Sequence, residues 1–597
     1  MINVNYQKRK NSELFKSLEN PESLFLSETQ NYIPIYTKFF SLNESNYNSI
    51  NLNNKWYISS VNQQVEDNDR LYNCRVKNNN TNKVKDKEIF FKLAPLLDPY
   101  KYLIGKYNIL DSRYLTLPKI DSTEVSSHNK FLDVNNSAYV DGLFIFLSSN
   151  LIHEHKFIHG VDYYGSFLAI KNNFNINVFD DIDYLNGSDF FNKYKNNLFT
   201  IDDYEHLFNM NEGKLKPITI EHDSSYKSKT SIQSFDEHIF EDIFEDNSNK
   251  TVTIDNLKEL SMELIDIKNG NSGKIDDNCF SLKSNSTCSS RSSHTFVDES
   301  NNDMTEFDEG ENNSNSDNDT EWTEEKSDEG SQIGSEEDYE EEVINVTIPK
   351  FPVQVICMEN CEKTFDELIL TTELKEEEWY SAFMQIVMIL ITYQKSFNFT
   401  HNDLHTNNVM YIETDKKYLY YCYKKQYYKV PTFGRIFKII DFGRSIYKFN
   451  GNIFCSDSFN NGGDAATQYN TEPYFNEKKP RLEPNFSFDL CRLACSIYDY
   501  IIDDTDEIKD LSKCNDPIKK LIIEWCLDDN GINMLYKNNG DDRYPDFKLY
   551  KMIARCVHNH TPQAQLERKE FKKFMILKLN GVIPSDIIDI DKIPIYF

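Results

Sequence analysis

The strongest constraint on this chain is the stretch from Phe399 to Ser445, which reads FTHNDLHTNNVMYI, then a tyrosine-rich passage, then FKIIDFGRS. It sets two acids and an asparagine, Asp403, Asn408 and Asp441, at spacings that suit metal-assisted phosphoryl transfer. Asp441 follows the apolar run KII, the pattern of a buried strand that ends in a cleft, where a carboxylate can act as a hard oxygen ligand for magnesium. A bare DFG tripeptide is weak by itself in a long chain. An H-x-D-L-x-x-x-N loop followed by D-F-G is much more specific.

The paired motifs resemble the protein kinase superfamily, with His401, Asp403, Leu404, Asn408, Asp441, Phe442 and Gly443 in the motif positions. The composition, rich in Asn, Tyr, Ile and Lys, is similar to that of the serine/threonine protein kinases of giant DNA viruses such as mimivirus. The resemblance implies an α+β, bilobal protein-kinase-like fold with a small β-rich N-lobe and a larger helical C-lobe. It implies ATP and Mg²⁺ as cofactors, Asp403 as the base that orients an acceptor hydroxyl, and Asn408 and Asp441 as magnesium ligands. The expected division is a polar extension over 1–30, the N-lobe over 31–175, an acidic and largely disordered insertion over 176–347, and hinge plus C-lobe over 348–597.

At 597 residues the chain exceeds the roughly 250 to 300 that two kinase lobes use, so something else must be present. A formal net charge of -31 argues against nucleic acid or an anionic membrane as partner and favours a basic protein substrate. The 12 cysteines are scattered without a C-x-x-C pair, which reads as buried free thiols in a reducing compartment. The N-terminus lacks an apolar signal core, and the most apolar run, 383–391, is short of the about 20 residues that span a bilayer. The expectation is a soluble protein of the host cytoplasm or viral factory, with virion packaging and oligomeric state left open.

Within the N-lobe, LYNCRVK (71–77) and EIFFKLAP (88–95) read as two strands, and Lys92 closes the second. By resemblance Lys92 pairs with nucleotide phosphates; read alone, it is also a solvated strand-end lysine. A helix over 137–153 places Val140, Phe144, Leu147 and Leu151 on one face. The kinase partner of the lysine lies on such a helix, where the acids are Asp141 and Glu154, and Asp141 is the better placed. Residues 157–170 read as a further strand pair. No glycine occurs in WYISSVNQQVED (56–67), where a phosphate-covering loop belongs, and the hydroxyls of Ser59 and Ser60 are the substitute donors.

From about Lys268 the sequence is Ser, Asn, Asp and Glu, too poor in aliphatics to offset the roughly 1 to 2 kcal/mol per residue of backbone ordering. It reads as a solvating tether, or as a tail controlled by phosphorylation at Ser327, Ser331 and Ser335. A buried strand over 353–358 then leads to Met358, Glu359, Asn360 and Cys361, by resemblance the hinge whose backbone holds adenine. A helix over 376–395 carries an apolar stripe that belongs to the core.

Three departures from the family pattern concern the motif stretch. Asn402 replaces the usual Arg, which removes a clamp onto a phosphorylated activation segment. His405 stands where protein kinases usually have Lys; a His there also occurs in haspin-like kinases and in small-molecule phosphotransferases with an H-x-D-L-H-x-x-N loop. The interval from Asp403 to Asp441 is long because YLYYCYKKQYYKV forms an extra hairpin around Lys424 and Lys425, with its tyrosines on the sheet surface. Glu472 and Pro473 resemble the end of the activation segment loosely, and Asp489 resembles the acid that holds the catalytic loop's backbone, or else serves as an N-terminal helix carboxylate. The chain therefore reads as an ATP-dependent serine/threonine protein kinase. The alternatives are a small-molecule kinase, suggested by His405, and a weakly active pseudokinase or scaffold, suggested by the missing glycines.

Overall fold

The computed structural model describes residues 2–65, 68–108, 111–204, 343–502, 511, 514–537, 540–545, 547–577 and 586–597. The chain divides into two compact units, 1–202 with 284–597, and 203–283; the elements described below belong to the first. It is a mixed α+β structure.

Its largest sheet is antiparallel, in the order Leu26–Gln30, Tyr163–Asn177, Asn345–Glu359, Val84–Pro95, Leu71–Asn78 and Trp56–Gln64. Alternation explains these strands: Ile89, Phe91 and Leu93 are buried on one face, which turns Phe90, Lys92 and Ala94 to the other. Val84–Pro95 begins earlier than the apolar run suggested and continues past Lys92, so the lysine lies inside the strand instead of closing it. Residues 157–170 do not form a strand pair; one long strand, Tyr163–Asn177, starts after the turn at 158–160.

The N-terminal thirty residues are not a loose extension. Strand Tyr6–Lys8 pairs with Ile50–Leu52, helix Ser12–Leu18 buries Leu14 and Leu18, and Leu26–Gln30 is the edge strand of the large sheet. A few well-spaced leucines in polar sequence anchor the segment, because burying each contributes about 1.5–3 kcal/mol.

The boundaries 176–347 of the expected insertion also change. Asn177 lies directly opposite Asn345, so the long intervening sequence is the connection of a hairpin between neighbouring strands. Its first part is structured, with helices Ile182–Asn186 and Asp189–Tyr194 and strand Thr200–Ile201, which pairs with Val346 and Thr347. The acidic tract, with Ser327, Ser331 and Ser335, lies outside the described residues.

Two helices hold the rest together. Ser137–His155 runs two residues beyond the expected end; it is capped by Asn136, whose side chain accepts from Ala138 N at 3.0 Å. It is buried around most of its circumference, as a helix packed on several sides must be. At Gly142 an added Cβ would collide with Gln354, so glycine lets this helix approach the sheet closely. Glu376–Phe397 opens on three glutamates, which favour a helix N-terminus, and is buried along nearly all the rest of its length. Between them lies an aromatic cluster. The Phe144 ring sits 4.5 Å from Phe399, 4.5 Å from Phe442, 4.8 Å from Tyr447 and 5.1 Å from Tyr393.

Strands Val409–Glu413 and Arg435–Ile439 pair with each other and flank the expected hairpin, Tyr418–Tyr423 with Gln426–Pro431. The hairpin turns at Lys424 and Lys425, both at positive φ. It belongs to a separate four-stranded sheet with Met575–Ile576 and Ile587–Asp589, and not all its tyrosines are surface: Tyr421 and Tyr428 are buried. No helix among the described residues is long and apolar enough to cross a membrane.

Candidate functional site

Residues 92, 141 and 441 come from a strand, a helix and a loop, and they meet at one amine. Lys92 Nζ stands 2.6 Å from Asp141 Oδ2 and 2.9 Å from Asp441 Oδ1. Asp141 is therefore the lysine's partner, and Glu154 makes no such contact. Burial alone would lower the Lys92 pKa, but the two carboxylates outweigh it and the pKa is raised. Asp141 is buried, which pushes its carboxyl up against the opposing pull of Lys92. At Asp441 burial pushes the same way, yet Lys92 prevails and holds the carboxyl at about 2. The Asp441 side chain remains 51% exposed, so an ionised oxygen faces solvent.

Asp441 adopts φ +60, a left-handed conformation that disfavours a side-chain-bearing residue by roughly 1–2 kcal/mol. Its neighbours hold it there. Phe442 is buried against Phe144, and its N–H donates to Asp141 Oδ1 at 2.9 Å. Ile440 on the other side donates its N–H to Asn408 O and accepts from His401 Nε2 at 2.9 Å. Gly443 is not demanded by space, since an added Cβ would stand at an ordinary 3.4 Å from Asp441 Oδ1.

The loop from His401 to Asn408 is fixed from beneath by Asp489, the second residue of helix Phe488–Ile501. Its carboxylate accepts from His401 N and Asn402 N, both at 2.9 Å. Asn402, at φ +65, is also held through its side chain, which accepts from Tyr469 Oη at 2.8 Å and donates to Arg444 O at 3.1 Å. A buried amide thus fills the place of the missing arginine and ties the loop to the Arg444 segment. Leu404 is buried as the loop's apolar anchor.

Asp403 and Asn408 are joined inside this loop. Asn408 Nδ2 donates to Asp403 O at 2.9 Å and lies 3.0 Å from His405 Nε2, so its amide oxygen is the end left to serve as a ligand. Burial pushes His405 down to about 4, which keeps the imidazole neutral near pH 7. Asp403 Oδ1 accepts from Tyr550 Oη at 2.7 Å, and Oδ2 lies 3.9 Å from Arg444 Nε. Burial would raise the Asp403 carboxyl, but Arg444 foremost, with Arg492 and the Tyr550 hydroxyl, leaves it lowered and ionised.

The other expected positions fare unevenly. Ser59 and Ser60 lie within strand Trp56–Gln64, not in a loop, and Ser59 Oγ donates to Arg75 O of the next strand at 2.9 Å. Met358 and Glu359 end their strand, and the Glu359 amide is engaged by Asp162 O at 2.9 Å. The Glu359 carboxylate meets the buried Lys438 ammonium, which also donates to Ile158 O and Gly160 O. Asn360 and Cys361 follow, with burial pushing the Cys361 thiol up to about 12. Glu472 lies at the surface, sharing Arg481 with Glu483 at 3.2 and 2.6 Å.

Sequence reasoning missed Tyr550, Arg444, Arg492 and Asp457. Asp457 accepts from Ser137 N, the first residue of the Asp141 helix, at 3.0 Å, pairs with Lys130 at 3.0 Å, and donates its own N–H to Asn135 O. Only the D-F-G-R tetrapeptide pointed to Arg444; nothing local marked the other three.

No protein-family model matches the chain. Over 183 residues it is 26% identical to uncharacterized protein 098R of Invertebrate iridescent virus 6, an alignment covering 30% of this chain and 26% of that protein. The chain thus matches about a quarter of its relative's length.

Proposed function

We propose that this chain is an ATP-dependent protein kinase, serine/threonine-directed, built on a bilobal kinase-like fold. The observation that carries the reading is the convergence of Lys92, Asp141 and Asp441, beside a loop that holds Asp403 and Asn408. In support of the fold reading, the large sheet carries the lysine, the buried helix carries its acid, and the chain crosses at Glu359–Glu362 to the region that holds the long helices Glu376–Phe397 and Phe488–Ile501. The residues fit magnesium: the Asn408 amide oxygen and the ionised Asp441 carboxylate are both hard oxygen donors. Bound Mg²⁺ would neutralise charge on the transferring phosphoryl group.

The chain's own groups do the rest. Lys92, anchored on Asp141, offers a fixed cation to phosphate oxygens. Asp403, ionised and held at Oδ1, turns its other oxygen to an acceptor hydroxyl and orients it; with a lowered pKa it is a weak base, so positioning is its main contribution. That all the described cysteines are free thiols supports a reducing compartment, the host cytoplasm or viral factory. The iridescent-virus relative supports a viral origin.

The test is incubation with labelled ATP and Mg²⁺, offering basic proteins beside a panel of small alcohols, with Asp403→Ala as control. Label on protein serine or threonine, absent with the control, is the expected result; label on an alcohol alone makes the protein a small-molecule kinase. Equal labelling by wild type and Asp403→Ala refutes the proposal. One observation favours a scaffold: residues 65–70, between the first two strands of the sheet order's far edge, contain no glycine. Magnesium-dependent nucleotide binding without turnover would select that reading.

A further inference from the structure

We infer that Tyr550 is a positioning residue for Asp403, acting with Arg492 as a directional relay; the inference rests on the phosphotransfer reading above. Tyr550 is buried on helix Lys548–Cys556, its ring stacked 5.1 Å from Phe547. Arg492, buried on helix Phe488–Ile501, donates from Nε to Tyr550 Oη at 2.9 Å. A guanidinium can only donate, so the hydroxyl accepts from Arg492 and directs its own proton to Asp403 Oδ1 at 2.7 Å.

This polarity has two effects. A hydroxyl already donating to Asp403 Oδ1 fixes the carboxylate's rotation, which leaves Oδ2 for an acceptor hydroxyl. It also stabilises the ionised form, because a hydrogen bond to a carboxylate favours the charge. The relay supplies from another helix the restraint that the loop does not supply locally: His405 is neutral and oriented toward Asn408.

The test is Tyr550→Phe, which removes one oxygen and keeps the ring. The expected result is a fall in kcat of about tenfold with KM for ATP and thermal stability unchanged, the split that mispositioning of Asp403 produces. Arg492→Lys, which retains a charge but loses the fixed Nε donor, should lower kcat in the same way by less. Wild-type kcat in Tyr550→Phe, with a wild-type enzyme that does transfer phosphate, would overturn the relay. Absence of transfer by wild type would instead overturn the parent reading, so the two failures are distinguishable. A fall in kcat that comes with a matching loss of thermal stability or a raised KM also overturns the inference, since loss of packing alone would produce it.

Discussion

Replacing Asp489 by alanine should loosen one loop in a measurable way. The carboxylate is fully enclosed and accepts two backbone N–H groups, those of His401 and Asn402, at 2.9 Å each. Alanine would leave both donors buried and unpaired, at about 1–3 kcal/mol apiece. Part of that returns if Asn402 relaxes from φ +65, which releases roughly 1–2 kcal/mol. Removing a buried charge that burial itself disfavours gives back a further share. A net local destabilisation of about 1–4 kcal/mol follows, equivalent to a roughly 5- to 900-fold loss of exchange protection. Hydrogen exchange on peptides covering 399–408 reads it directly, and urea denaturation reads the fraction reaching global stability. Asp489→Asn keeps one acceptor oxygen and should lose about half as much. Wild-type protection at the His401 and Asn402 amides in Asp489→Ala would refute the argument.

Two further outcomes follow from buried charges. Asp162 lies 2.8 Å from His153 and accepts from Ser149 at 2.9 Å and Tyr164 at 3.0 Å; against the upward push of burial, His153, Lys87 and the Ser149 hydroxyl hold it at about 2. Because the folded pKa is depressed, its stabilisation of about 2 kcal/mol is complete above the unfolded value near 4 and disappears as pH falls toward 2. The stability gap between wild type and Asp162→Asn, from urea melts, should therefore narrow from about pH 4.5 downward; a gap independent of pH would contradict it. Lys92→Met strands the buried Asp141 carboxylate, with a ceiling of about 3–5 kcal/mol that proton uptake reduces. Lys92→Met with Asp141→Leu should recover thermal stability over the single variant without recovering phosphotransfer, and a double variant no more stable than the single would count against the pairing.

What could be read beforehand was whatever the chain encodes locally. The motif loop, the KII strand before Asp441 and the buried helix carrying Asp141 each announce themselves within a few residues, through spacing or apolar periodicity. The hairpin at Lys424 and Lys425 was legible because turn and flanking strands are contiguous. Relations between distant segments were not. Nothing near Leu26 says that its strand will pair with Lys171, and nothing near Tyr550 says that its hydroxyl will reach Asp403, because long-range pairing is decided by the whole core. The serines at 59 and 60 sit in a strand for a local reason: the β-branched and aromatic residues around them at Trp56–Val61 favour extension over a phosphate-covering loop.

Asp457 gives the segment after Arg444 a grip on the very first turn of the helix that bears Asp141. Peeling that segment outward would break both bonds and leave the Ser137 amide without its acceptor, so the start of this helix and the seating of the segment stand or fall together.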